Sequence, residues 1–231
     1  RGLGDVYKRQ LAVNYLADAL HTLYVEATPY VIPSVLNQTF EDEPVGYTPR
    51  NWTITNPQYG GFTVDNQTYY SRGKSAKLVD NSTLGSPCPY RVFPVQKGTI
   101  VVTFAIRLAA NSGNNTNLII YVDDGNFSGS NIKFSESGTI EYNDDDGSHV
   151  LRNYLNSTWY RIKMIMNIPN NTYDIYINDL LEAKGAKFNK FNTSHIIYRI
   201  SFEEALIWQP VGYIDDIMIK TSIKVPEVYP T

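Results

Sequence analysis

The sequence predicts an all-β protein: an antiparallel two-sheet jelly-roll β-sandwich with a short N-terminal segment outside its core. Three observations carry this. From residue 36 onward, short runs rich in β-branched and aromatic residues alternate with turns of Gly, Asn, Asp, Ser and Pro. No amphipathic stretch of helical length separates those runs, so the pattern lacks the crossover helices of a parallel sheet. Within single runs the two faces differ: in "TYDIYIND", Tyr173, Ile175 and Ile177 share one side and Asp174, Tyr176 and Asn178 the other. In "WYRIKMIMNI", Trp159, Arg161, Lys163 and Ile165 oppose Tyr160, Ile162, Met164 and Met166. One core face and one polar or aromatic face per strand is what two sheets packed about 10 Å apart require.

Taken in order, residues 1–10 stand apart. "DVYKRQ" can be written back as GAT GTG TAT AAG AGA CAG, which resembles the transposon end used to fragment DNA for sequencing, so the segment is expected to be a translated adapter on a metagenomic read. Residues 11–35 fit either a helical stripe (Leu16, Ala19, Leu20, Leu23) or an alternating strand, and Pro29 and Pro33 mark them as a linker or the remnant of an upstream domain. "DALHTLYVE" resembles a strand of a sialidase-type β-propeller blade. The sandwich is expected over 36–222, with strands at "TFED", "SAKLVD", "YRVF", "TIVVTFAIRL", "NLIIYVDD", "NIKFS", "TIEYND", "WYRIKMIMNI", "TYDIYIND", "IIYRISF" and "YIDDIMIK", and a tail over 223–231. The links between strands, such as "GNFSGS" and "NIPNN", are turn chemistry in which Gly or Asn takes positive φ.

Composition narrows the function. The chain has 231 residues, 42% hydrophobic and 19% charged, enough for one large β-domain with a sizeable core. Its net charge of −3 comes with scattered Lys and Arg, so no basic stripe for nucleic acid forms. No run approaches the length of a membrane-spanning helix. Cys88 stands alone, which excludes an internal disulfide and the usual thiolate metal sites. Asn-X-Ser/Thr occurs at Asn37, Asn51, Asn66, Asn81, Asn114, Asn126, Asn156, Asn170 and Asn192, roughly threefold more often than chance placement gives. Such acceptors of N-linked sugar point to an exported protein, extracellular or at the cell surface; incidental Asn/Thr-rich turns are the alternative.

On "FEDEPVGYTPRNWTI", "SRGKSAKLVDNST", "GTIVVTFAIRL", "GTIEYNDDDG", "STWYRIKMIMNIPNNTYDIYIND" and "GYIDDIMI", residues 38–220 resemble the concanavalin A-like (laminin G-like) jelly rolls. The resemblance implies two curved antiparallel sheets, appended to exported or surface proteins, that bind glycans or act as spacers. It also implies a structural Ca²⁺ between the first and last strands. Glu41 and Asp42 lie in the first, and Asp215 shares a face with Tyr213, Ile217 and Ile219 in the last; an inward carboxylate there needs a metal, backbone amides or an Arg. "YNDDDGSH" is read as a β-turn, since Tyr142 stands where a calcium loop requires Asp.

Catalytic patterns are not matched. The glucanase pattern E-x-D-x-x-E, which sets a nucleophile and an acid on one face, finds only "EYNDDD", with Asn143 at the central position. Glu203 and Glu204 are adjacent and point to opposite faces. No Gln-x-His occurs, and His21, His149 and His195 are isolated. For glycan recognition the candidates are Trp208, as an exposed aromatic or else a plug at the sandwich edge, and Tyr142 and Tyr176 on outer faces. Trp52 and Trp159 are expected in the core. The expected function is therefore a non-catalytic glycan-binding (lectin-like) module of an exported multidomain protein, its partners carbohydrate or neighbouring domains. The alternatives are a structural domain of a cell-surface, filament or viral-fibre protein and, behind it, a glycoside hydrolase or polysaccharide lyase.

Overall fold

The computed structural model describes residues 16, 34–109, 118–189, 195–204 and 211–222. All its strands belong to one compact unit, Pro33–Thr231. In chain order they are β1 (Ser34–Gln38), β2 (Thr53–Thr55), β3 (Gly60–Asp65), β4 (Ser75–Asp80), β5 (Cys88–Gln96), β6 (Thr99–Leu108), β7 (Leu118–Asp123), β8 (Gly129–Phe134), β9 (Thr139–Asp144), β10 (Gly147–Asn153), β11 (Trp159–Asn167), β12 (Thr172–Ile177), β13 (Leu180–Lys187), β14 (Ile197–Glu204) and β15 (Val211–Thr221).

They form two sheets, ordered β13-β12-β11-β6-β15-β4-β3 and β10-β9-β8-β7-β14-β5-β2, with β1 joining the first sheet on β15. The all-β jelly-roll sandwich expected from the sequence is the fold observed. The two C-terminal strands take central places, β14 between β7 and β5, and β15 between β6 and β4. Neither sheet is continuous without them.

The period of two decides the core. Tyr160, Ile162, Met164 and Met166 of β11 and Ile100, Val102, Phe104, Ile106 and Leu108 of β6 are buried, facing Leu118, Ile120 and Val122 of β7 and Ile200 and Phe202 of β14. Trp52 joins them as expected: its ring lies 4.8 Å from Phe62 and 5.8 Å from Phe202, and Phe104 meets Phe202 edge-on at 6.3 Å. Each such aromatic contact adds about 0.5–1.5 kcal/mol beyond the area it buries. At Gly129 the partner strand comes too close for any side chain, since a Cβ would stand 2.1 Å from the Val122 carbonyl oxygen.

Several expectations are corrected. "TFED" is a turn rather than a strand: Phe40 takes φ +63°, and Glu43 N donates to the Phe40 carbonyl. The first strand is instead β1, just upstream. β2, β3, β10 and β13 were not anticipated. Trp159 is half-exposed rather than core, because the alternation that buries Tyr160 turns it outward with Arg161. The turn expected at "YNDDDGSH" is found, as the β9–β10 hairpin in which Gly147 pairs with Asp144 and takes φ +120°. In β15 the alternation itself breaks. Asp216 takes φ +49°, a bulge shifts the register between Asp215 and Met218, and Ile217 and Ile219 turn inward although Tyr213 faces out.

Candidate functional site

The bulge in β15 falls where its neighbour changes. Val211–Ile214 pair with β4, whereas Ile217–Lys220 pair with β1 on the same edge. Between the end of β1 and the start of β4 the sheet has a gap beside Asp215 and Asp216. Two turns, 39–43 and 66–74, fill it.

Asp215 is fully buried, and its carboxylate gathers those turns. Oδ2 accepts from the amides of Tyr70 (3.0 Å) and Ser71 (3.1 Å), and Oδ1 from that of Asp216 (2.7 Å). Burial pushes its pKa up to about 6; the Ser71 amide opposes this, Asp216 adds to it, and the Asp216 and Tyr70 amides oppose it. Glu41 Oε1 accepts from Lys74 N (3.1 Å), while Lys74 Nζ donates to the main-chain oxygens of Glu41 (2.7 Å) and Glu43 (2.8 Å). Arg50 donates to the Asp42 carbonyl (3.2 Å) and pairs with the Glu43 carboxylate (3.1 Å). The structure thus brings Glu41, Asp42 and Asp215 to one region. Ca²⁺ takes six to eight oxygens at about 2.3–2.6 Å. Here both Asp215 carboxylate oxygens, Glu41 Oε1 and the carbonyls of residues 41–43 already accept protein donors, one of them an ammonium. As arranged, these residues do not fit the ion.

Next to this knot is a depression of about 220 Å³, lined by Asn37 of β1, Thr39 of the first turn, Tyr70 and Arg72 of the second, Thr103 and Ala105 of β6, Arg161 of β11, and Asp216 and Met218 of β15. Its lining includes two arginines, one aspartate and Tyr70. Arg161 reaches Asp179 at 3.0 Å, and Arg72, with a left-handed backbone (φ +68°), is exposed on the rim. The Tyr70 ring lies 5.7 Å from that of Trp159. A second depression, about 280 Å³, shares Asn37 and Thr39 and extends to Asp42, Arg50 and Arg91. Nothing in the sequence marked the bulge that opens this site. Arg161 and Trp159 were legible as sharing one face of β11, but Trp159 was expected in the core, and the pairing of that face with the 66–74 turn was not legible.

The residues expected to contact glycan are dispersed. Tyr176 lies on the outer face of β12 with the Lys163 ammonium 3.8 Å from its ring centroid. Tyr142 is corrected to the inner side of β9. It follows Ile140 inward, meets Tyr173 edge-on at 6.2 Å and stacks on His149 at 4.7 Å. Trp208 lies outside the described residues, as do His21, Asn114 and Asn192. Of the other expected glycosylation sites, Asn37, Asn51, Asn66, Asn81, Asn126 and Asn170 are exposed and Asn156 is half-buried.

Glu141, His149 and Cys88 are each engaged or masked. Glu141, on the outer face of β9, accepts from Thr139 and Ser148. His149 pairs with Asp144 at 2.8 Å. Burial pushes the Cys88 thiol up to about 11, with Glu203 adding to the rise, so the thiolate nucleophile is scarce at neutral pH.

Among solved structures, the chain is similar to a sialidase (TM-score 0.68, 14% identity), covering 83% of this chain and 19% of that one. It is also similar to the cellulose-induced protein Cip1 (TM-score 0.59, 19% identity; 81% of this chain, 97% of Cip1) and to a botulinum neurotoxin type C (TM-score 0.54, 16% identity; 83% and 48%). At these identities the likeness is one of fold. The chain spans about a fifth of the sialidase and about half of the neurotoxin structure. No curated protein sequence matches it. A family model, the sialidase-like CBM (carbohydrate-binding module) domain, matches residues 52–210. On that match, which covers most of its length, the chain belongs to the family of sialidase-like carbohydrate-binding module domains.

Proposed function

We propose that the chain is a non-catalytic glycan-binding module of an exported multidomain protein, and that it holds a carboxylate-bearing sugar in the depression beside the β15 bulge. The observation that carries this is the lining of that depression: Arg72 and Arg161, the latter also paired with Asp179, together with Asn37, Thr39, Asp216 and Tyr70, whose ring packs against Trp159. A guanidinium fork matches a carboxylate bidentately, and aromatic faces pack against the apolar side of a sugar ring. Family membership supports the ligand class. So does the neurotoxin of the same fold, whose cell entry depends on interaction with two ganglioside molecules.

The same reading makes the chain a binder rather than an enzyme, supported by carboxylates already tied to protein donors. The exposed sequon asparagines support a place outside the cell or on its surface. The two antiparallel sheets support a wider kinship with the concanavalin A-like jelly rolls.

The test is a glycan array with the full chain, followed by calorimetry on a carboxylated hit and its neutral counterpart. Arg72→Ala removes one charge-assisted contact, so affinity should fall about 10–100-fold while the thermal midpoint stays put. Binding of neutral glycans with no loss in R72A would refute the placement and the charge class. No binding to any glycan by the folded chain would refute the function.

A further inference from the structure

We infer that the Lys74 ammonium is a built-in cation that closes the gap between β1 and β4, so that this sandwich folds without a divalent ion. The gap brings together main-chain carbonyls and carboxylates from two turns, an electronegative pocket that needs positive charge. Lys74 supplies it. Its Nζ bridges the carbonyl oxygens of Glu41 and Glu43, at 2.7 and 2.8 Å, and its own amide binds Glu41 Oε1 at 3.1 Å. Its side chain and backbone thereby hold both ends of the 41–43 turn. Three residues earlier the same 66–74 turn is gripped by Asp215 through the amides of Tyr70 and Ser71.

Charge and geometry both favour the ammonium over a metal. An ammonium donates three hydrogen bonds at the distances observed, whereas Ca²⁺ pulls its oxygens in to about 2.3–2.6 Å. An ion held by these oxygens would meet Lys74 as a like charge and would have to displace six protein donors: Lys74 Nζ, Lys74 N, Arg50 Nη2, Tyr70 N, Ser71 N and Asp216 N. Lys74 is half-buried, and its head replaces solvent as the carbonyls' partner.

The experiment is thermal unfolding of the full chain and of Lys74→Met, which keeps the stem and removes the charge. Each is measured in millimolar EDTA and in millimolar CaCl₂. The wild-type midpoint should be the same in both conditions, and that of K74M should be lower by about 5–10 °C. A wild-type midpoint that drops in EDTA overturns the inference, as does a K74M midpoint equal to the wild type's. If K74M does not fold, elemental analysis of the wild type purified in CaCl₂ and desalted decides. One equivalent of calcium overturns the inference, and none upholds it.

Discussion

The Arg199–Asp123 pair gives the sharpest test of how the second sheet is held. Asp123 ends β7 with no solvent exposure, and Arg199 of the adjacent β14 meets both its oxygens, Nε to Oδ1 at 2.9 Å and Nη2 to Oδ2 at 3.0 Å. The guanidinium also lies 4.8 Å from the centroid of Phe127, in the β7–β8 turn. Arg199→Met keeps the apolar stem and strands the carboxylate. Breaking a buried pair from one side costs about 3–5 kcal/mol. Two facts place this case at the lower end: Asp123 Oδ1 keeps the Gly125 amide at 2.7 Å, and the Arg199 side chain is 16% exposed, so water reaches the vacated place. About 3 kcal/mol corresponds to a midpoint lower by roughly 6–12 °C for a domain of this size. Asp123→Asn in the same background removes the stranded charge and should recover most of the loss. Urea unfolding followed by tryptophan fluorescence reads all three proteins. A loss under about 1 kcal/mol in R199M, or a double variant no better than R199M, would refute the account of this pair as a buried, mutually dependent charge contact.

Two further outcomes follow. Asp215 has a folded pKa of about 6, above its unfolded value, so its contribution is fully present below about pH 4 and is lost as pH rises through 6; the wild type should lose about 2 kcal/mol over that window relative to Asp215→Asn, and parallel unfolding profiles at pH 4 and pH 7 would sink the reasoning. Asn37 lines both depressions, so in a host that glycosylates it the attached sugar should block the proposed site; Asn37→Gln made in that host should bind glycan more tightly than the wild type, and equal affinity with a sugar demonstrably present would exclude that placement.

What could be read from the sequence was whatever alternation records. β6 and β9 coincide with the expected runs because an apolar residue turns inward at every second place, Ile100 to Leu108 in β6 and Ile140 and Tyr142 in β9, and fixes the register. β13, "LLEAKGAK", escaped because two register shifts against β12 scramble its order, and β2 because three residues carry no period. β3 begins with two glycines, which have no side chain to alternate. Trp159 was misplaced because its position in an alternating run was taken for burial, whereas the parity that buries Tyr160 turns it outward. The candidate site was hidden for a deeper reason. It arises where β15 trades one partner for another, and that exchange depends on long-range pairing that no local pattern encodes. The carboxylates were visible as a group; that an amine from the 66–74 turn would stand among them was not.

The pairing of β1 with β15 has a mechanical consequence. Ser34 pairs with Lys220, so the chain enters and leaves the sandwich side by side on neighbouring antiparallel strands. Tension applied through the flanking chain would therefore load the rungs between these strands one after another, as a zipper opens, rather than all together in shear. Peeling away β1 would also free the 39–43 turn that Lys74 clasps. Under drag, this module should yield first at that seam, and the depression beside it, whose rim includes Asn37 and Thr39, should lose its shape before the rest of the sandwich gives way.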